Sequence, residues 1–471
     1  MRPEECTSLV DPARCGGPIG TPRAARGNPD LNAPSLPRSP TISIGSRAST
    51  RHLAARNVPM RPLRCLPSAL AFLGALPLAA IPIAAQQDAI GSVSQTALHD
   101  FRIVEVADGL INPHAMAFTP EGDILVTERP GRLRIIRDGK LLPDAVEGLP
   151  DILAIGNGAM PMNGLEQAGL RDVRLHPDFA ENRLLYLSYV KPGAGGLGTL
   201  AVIRGRYEDD RLSDVEELFH AYAQSNGSER SSMWGGRIAF DGRGYMFVTL
   251  GDRQWPSVGD LEQHPAQQLV NHNGTTVRLH DDGRVPTDNP FVGQGDARPE
   301  IWTYGHRNAQ GLAVHPETGA VWLNEHGPQG GDEVNLLRPG GNYGWPVVGY
   351  GVNYGSGRAI HEGTRGEEME MPAHVWVPSI GVSGMIFYQG DAFPEWKGDM
   401  LVGGTSGERL VRLRTDGVVV AREEVLLQDV GRIRDVAEGP DGLIYLALDG
   451  GVRWEDGPPT KILRLEPAGR R

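Results

Sequence analysis

The chain has 471 residues and carries 46 Lys and Arg against 58 Asp and Glu, a formal charge of −12. The imbalance is uneven. Residues 1–85 hold ten Arg and four acidic residues, so the remainder carries a net charge of −18. A body that acidic does not gather nucleic acid by neutralising phosphates, which excludes nucleic acid as a partner.

Residues 1–59 are rich in Arg, Pro, Ser and Gly and show no apolar periodicity. Such a segment buries too little surface to offset chain entropy, so it is expected to be disordered or a mis-annotated extension. Residues 60–85 read as a signal peptide. Met60 offers a second start, Arg61 and Arg64 form a basic region, Leu66 to Ile83 is apolar, and Ile83-Ala84-Ala85 resembles a cleavage site before Gln86. Pro67, Pro77 and Pro82 interrupt the apolar stretch, which argues against stable membrane insertion; an N-terminal anchor is the alternative. The expected location is periplasmic or secreted. Cys6, Cys15 and Cys65 all precede the cleavage site, leaving a mature chain without thiol, disulfide or cysteine-bound metal.

From about residue 100 to 467 one theme recurs: a Pro/Asp/Gly turn followed by an alternating apolar strand. The copies begin at Thr119, His176, Asp241, His315, Pro394 and Gly439. Each places turn formers where a tight turn needs them, then β-branched and aromatic residues where a pleated strand needs them. Six such units predict an all-β fold, a six-bladed β-propeller, with little helix. A β-sandwich or β-helix is the alternative. Propellers host enzymes and binding scaffolds alike, so the loops must carry the functional argument.

Five loop motifs have ligand-binding composition. The first is Glu166-Gln167-Ala168-Gly169-Leu170-Arg171-Asp172. The second is Met233-Trp234-Gly235-Gly236-Arg237, running on to Asp252. The third is Tyr304-Gly305-His306-Arg307-Asn308, and the fourth is Glu325-His326-Gly327-Pro328, continuing through Asp332 and Glu333 to Tyr343. The fifth is Gly431-Arg432-Ile433-Arg434-Asp435. Glycines there let main-chain atoms approach a ligand while charged groups orient it. Strand alternation points Arg432 and Arg434 to one side. Two such guanidiniums repel unless an anion lies between them; Asp429 and Asp435 could supply it, or a ligand could. Asp, Glu and main-chain carbonyls are suitable donors for a hard cation, and His326 is not.

Together these motifs resemble, from Phe101 to Pro467, the soluble quinoprotein aldose sugar dehydrogenases (the glucose/sorbosone dehydrogenase family), which use pyrroloquinoline quinone (PQQ) and calcium. The resemblance implies a cofactor site of Gln167, Arg307, Asn308, His326, Asp332, Tyr354, Gly404, Arg432 and Arg434. It implies calcium facing the carbonyls of Gly327 and Pro328, and a structural calcium at Glu333 and the carbonyl of Tyr343. It also implies an aldose as substrate, oxidation at the anomeric carbon to a lactone, and a quinone or other electron acceptor, in a monomer or homodimer. The first motif resembles the family's Gln-Gly-Gly-Leu-Leu-Asp. Two departures stand out. Met233 occupies the place of the catalytic histidine, although Asp252, which would orient it, is kept. Thr405-Ser406 stand where some members place a cofactor-contacting lysine. A thioether takes no proton from a sugar hydroxyl. That leaves three readings: an enzyme using another base such as Glu229, with His326 and His114 as weaker candidates, an impaired cofactor- or sugar-binding paralogue, or a calcium-dependent lactonase-type propeller.

Overall fold

All six turn motifs fall at the same place in six similar sheets, the link between a sheet's inner strand and its second strand. At the first, Gly122 takes φ 96° and its N–H donates to the Thr119 carbonyl, closing the turn before Ile124–Glu128. At the last, Gly442 takes φ 72° and donates to Gly439 before Ile444–Asp449. Only a residue without Cβ tolerates this geometry cheaply.

This computed structural model describes residues 90–154, 168–193, 198–223, 232–450 and 460–469. The expected N-terminal extension, the signal peptide, Gln167 and Glu229 lie outside the described residues. The chain divides into two units, 1–81 and 82–471, and everything below concerns the second. It is a six-bladed β-propeller, as the repeats predict. Its strands begin at Val93, ahead of the expected boundary, and end at Ala468. The only α-helix among the described residues is the single turn Phe179–Asn182.

The inner strands are Pro113–Phe118, Leu170–Leu175, Gly235–Phe240, Ala309–Val314, Val382–Phe387 and Arg432–Glu438. Each packs against the next, and the last returns to the first. Five sheets have four strands. The sixth has five and joins both ends of the propeller, because Asp100–Asp108 pairs antiparallel with Lys461–Ala468. Apolar side chains fill the wedges between blades. Trp322 and Phe387 pack edge-to-face at 6.2 Å within one such core, which also holds Val402 and Val411. The aromatic residues of the repeats therefore serve mainly as packing.

One irregularity recurs in every blade. The pairing of inner with second strand slips at Pro113/Ala115, Leu170/Val173, Gly235/Ile238, Ala309/Gly311, Val382/Met385 and Ile433/Asp435. A β-bulge turns side chains out of the alternating pattern. Here the displaced residues are His114, Arg171 with Asp172, Gly236 with Arg237, Gln310, Ser383 with Gly384, and Arg434. Together they form a ring around the channel.

Arg237 joins the ring across the axis. Its Nε donates to the Gln310 carbonyl at 2.7 Å, and its Nη2 donates to the carbonyls of His114 at 3.3 Å and Arg434 at 3.2 Å. Nη1 lies 2.8 Å from Asp435 Oδ1. One fully buried guanidinium thus ties four blades together. Arg237→Met should destabilise the protein by about 3–5 kcal/mol, because Asp435 is left as an uncompensated buried carboxylate. Denaturant unfolding checks this; a loss under about 1 kcal/mol would contradict it.

Candidate active site

The ring forms the floor of a cavity of about 330 Å³ at one mouth of the channel. His114, Arg171, Gln310 and Arg434 line it from the bulges; Arg129, Ser232, Met233, Gln254, Arg307, Asn308, His326, Tyr354, Thr405 and Arg432 line it from strand ends and loops. Five guanidiniums face this space, and no carboxylate is among the described lining residues. Three non-glycine residues at or beside the wall have left-handed backbone: Met233 at φ 57°, Arg253 at 62° and Gln254 at 55°. Strain of this kind persists where surrounding structure over-determines it, which is common at functional sites.

Of the residues expected from sequence, Met233, Arg307, Asn308, His326, Tyr354, Arg432 and Arg434 are brought together here. Arg307 is held firmly. Its backbone N–H donates to Glu325 Oε2 at 2.6 Å, and its Nη1 donates to the carbonyls of His326 at 3.2 Å and Gly327 at 2.7 Å. The guanidinium carbon lies 5.2 Å from the centroid of the Trp345 ring. Gln310 Nε2 donates to Asn308 Oδ1 at 3.0 Å, which fixes the amide. Tyr354 is 67% exposed and borders the cavity from its solvent side.

Arg432 and Arg434 do share a side, but neither Asp429 nor Asp435 is the carboxylate between them. Asp449 is. Arg432 Nε donates to its Oδ1 at 2.8 Å and Arg434 Nε to its Oδ2 at 2.6 Å. Burial alone would raise the Asp449 carboxyl, yet Arg434, Arg129 and Arg432 hold it well below the usual carboxylate range. Asp435 is occupied by Arg237 instead.

Other expected residues stand behind the wall. Asp252 is buried; its Oδ1 accepts from Gln254 N at 2.8 Å and its Oδ2 from Trp345 Nε1 at 2.7 Å. Burial pushes its carboxyl up to about 6 against the opposing pull of Arg307. Asp332 is not brought to the cavity. Its carboxylate accepts from the N–H groups of Gly327 at 3.0 Å, Gly381 at 2.6 Å and Val382 at 3.0 Å. Its role is therefore to clamp the loop carrying Gly327. Gly404 ends its strand opposite Val382, and its neighbour Thr405 reaches the cavity.

Gly327, Pro328, Glu333 and Tyr343 line a separate void of about 20 Å³ together with Glu325 and the inner face of Arg307. Burial, and then the neighbouring Glu325, push Glu333 up to about 8. Among the described residues no three His, Cys, Asp or Glu side chains converge as a metal site. A cation here would need main-chain oxygens as well. Two neighbouring carboxylates with adjacent carbonyls fit a hard cation. Binding would favour the ionised form of Glu333. Any calcium ion held here would therefore bind about tenfold more tightly per pH unit up to pH 8 and no more tightly above it, with proton release on binding. Calorimetry in buffers of different ionisation enthalpy checks this; affinity flat from pH 6 to 8 would contradict it.

Arg129, Arg171, Gln254, Gln310, Trp345 and Asp449 escaped sequence reasoning. Arg171 had a signal, because it stands where the resembled motif has leucine. Asp449 had none, because the turn at Gly439–Gly442 alone would set it opposite Ile433, and only the bulge at Ile433/Asp435 brings it opposite Arg432. Arg129 had none.

Residues 110–454 match the family model described as Glucose / Sorbosone dehydrogenase. The aldose sugar dehydrogenase YliI of Escherichia coli strain K12 is 42% identical over 347 residues, covering 73% of this chain and 88% of that one. Quinoprotein glucose dehydrogenase B of Acinetobacter calcoaceticus is 26% identical, covering 76% and 88%. Among solved structures, the apo-form of the soluble aldose sugar dehydrogenase of Escherichia coli superposes with a TM-score of 0.69 at 38% identity, covering 78% of this chain and 100% of that one. With its six-bladed fold and its charged channel mouth, the chain belongs to the glucose/sorbosone dehydrogenase family.

Proposed function

We propose that the chain is a PQQ- and calcium-dependent aldose dehydrogenase that oxidises the anomeric carbon to a lactone and passes electrons to a quinone or other acceptor. The observation that carries this reading is the cavity itself: five guanidiniums, no carboxylate among its described lining, and two of the five pre-set by Asp449. That lining fits PQQ, whose three carboxylates it would receive through charge-assisted hydrogen bonds. Arg432 and Arg434 would hold carboxylates, with Arg307 and Asn308 at the quinone edge. When bound, PQQ supplies a two-electron oxidant and calcium a Lewis acid beside it.

The chain's own residues do the rest. Arg307 is immobilised by Glu325, two carbonyls and Trp345, so it stabilises developing negative charge without reorganising. The loops bearing Ser232, Gln254 and Tyr354 border the space left for a sugar. Asp252 would hold and orient an imidazole at position 233, yet Met233 provides none. That observation favours slow turnover, in an enzyme impaired in proton removal rather than in cofactor binding. The acidic body and the leader-like 60–85 segment support a periplasmic or secreted location. Among the described residues no helix is long and apolar enough to cross a membrane.

The test is dye-coupled oxidation of an aldose panel by purified protein with PQQ and calcium added together or singly. Slow, sugar-dependent dye reduction that needs both additions, with lactone formed, is expected. Lactone hydrolysis without PQQ would favour the lactonase alternative.

A further inference from the structure

His114 is the displaced residue of the first blade's bulge and lines the cavity, and the residue is 1% exposed. Its Nδ1 lies 2.9 Å from the Arg171 carbonyl. A carbonyl only accepts, so Nδ1 carries the proton and Nε2 presents a lone pair. No protein group donates to that Nε2. Burial lowers the imidazole well below its usual range, and the guanidiniums of Arg171, Arg237, Arg434 and Arg129 lower it further. The ring is thus a neutral acceptor.

Its setting gives that acceptor a meaning. Two other acceptors at the cavity have protein donors: Asn308 Oδ1 takes Gln310 Nε2 at 3.0 Å, and Gln254 Oε1 takes the Ser232 hydroxyl at 2.6 Å. His326 Nε2 donates to the Val382 carbonyl at 2.7 Å, which leaves its Nδ1 as an acceptor that is not fully buried. The guanidiniums only donate. The cavity is therefore rich in donors, and among its described lining residues His114 Nε2 is the fully buried acceptor left without a protein donor. Oxidised PQQ has the complementary pattern: its carboxylates, quinone oxygens and pyridine nitrogen accept, and its pyrrole N–H is its one ring donor. A buried acceptor without a partner costs free energy that a ligand donor recovers.

We propose that His114 Nε2 accepts the pyrrole N–H of the bound quinone cofactor and so fixes which way round the cofactor sits. This rests on the functional reading above, extends it to a residue outside the expected cofactor site, and assigns His114 a binding role in place of the base considered from sequence.

The test is an equilibrium titration of PQQ, followed by its absorbance, into calcium-loaded wild type, His114→Phe and His114→Gln, repeated with PQQ methylated at the pyrrole nitrogen. Wild type should bind PQQ about 10- to 100-fold more tightly than His114→Phe does, the range expected for a buried donor left unpaired. The glutamine variant, which keeps an acceptor, should recover part of the loss. Methylation should weaken binding to wild type far more than to His114→Phe. Equal affinity of wild type for PQQ and the methylated form overturns the proposal even if a variant fails to fold. So does equal PQQ affinity of wild type and His114→Phe, which would leave Nε2 to water or to a sugar hydroxyl; a raised sugar KM in that variant would identify the sugar. Absence of PQQ binding to wild type overturns the functional reading itself, a distinguishable result.

Discussion

Met233→His is expected to raise aldose oxidation by ~10²–10⁴-fold in protein loaded with PQQ and calcium, the contribution typical of a placed general base. Met233 already lines the cavity and holds a left-handed backbone at φ 57°. Its carbonyl packs on Gly251 so closely that a Cβ there would come within 2.0 Å of it, which sets its backbone beside the residue preceding Asp252. The Asp252 carboxylate has accepted one bond on each oxygen, from Gln254 and Trp345. A carboxylate offers about four lone-pair sites, so it can still take an imidazole N–H. Its carboxyl sits at about 6 in the folded protein. The gain should therefore be full above pH 7 and fade as pH falls through 6, where the orienting group protonates. Dye-coupled turnover of wild type, Met233→His and Met233→His/Asp252→Asn measures it. A gain lost in the double variant supports a dormant pair. Robust wild-type turnover unimproved by histidine would mean another base serves, and Glu229 would be the next residue to change.

Arg434→Ala should have two effects. Loss of a charge-assisted contact should weaken PQQ binding by about 1.5–3 kcal/mol, roughly 10- to 150-fold. The fold should also suffer, because Asp449 is 2% exposed and loses one of the arginines that hold it, keeping Arg432 and Arg129. Breaking a buried pair costs about 3–5 kcal/mol, and the surviving arginines should hold the loss near the lower end. The pH dependence follows from the depressed Asp449 carboxyl. Its stabilising contribution is present above the ordinary carboxylate range and is lost as pH falls through its folded value. The difference between wild type and variant should therefore be largest near neutrality and shrink in acid. Arg434→Ala/Asp449→Ala should recover stability without recovering affinity. Unfolding curves and cofactor titration separate the two effects. An Arg434→Ala protein as stable as wild type would show that Asp449 does not depend on this partner.

The propeller was legible because its signal is local. A turn needs particular residues at adjacent positions, and six copies of that chemistry mark six hairpins. The bulges were not legible, because a bulge is a mismatch between two strands and shows only when both are paired. That is why His114, Arg171, Gln310 and Arg434 could not be grouped in advance, although Arg434 was singled out for its charge. Asp332 shows the converse. In a glycine-rich loop an acid reads as ligand-binding, yet the same loop exposes N–H groups that need acceptors, and three of them claim its carboxylate. Asp449 was out of reach of a register argument across the Gly439–Gly442 turn, because the bulge at Ile433/Asp435 shifts the pairing by one residue. So was Trp345, because its bond to Asp252 joins residues far apart in sequence.

The most direct test of the account is whether the cavity takes PQQ. Full-length protein, stripped with chelator, would be titrated with PQQ in the presence and absence of calcium, following cofactor absorbance. Saturable binding of one PQQ per chain is expected, tightened by calcium and weakened by Arg432→Ala, whether or not turnover is fast. Folded, calcium-loaded protein that binds no PQQ would contradict it.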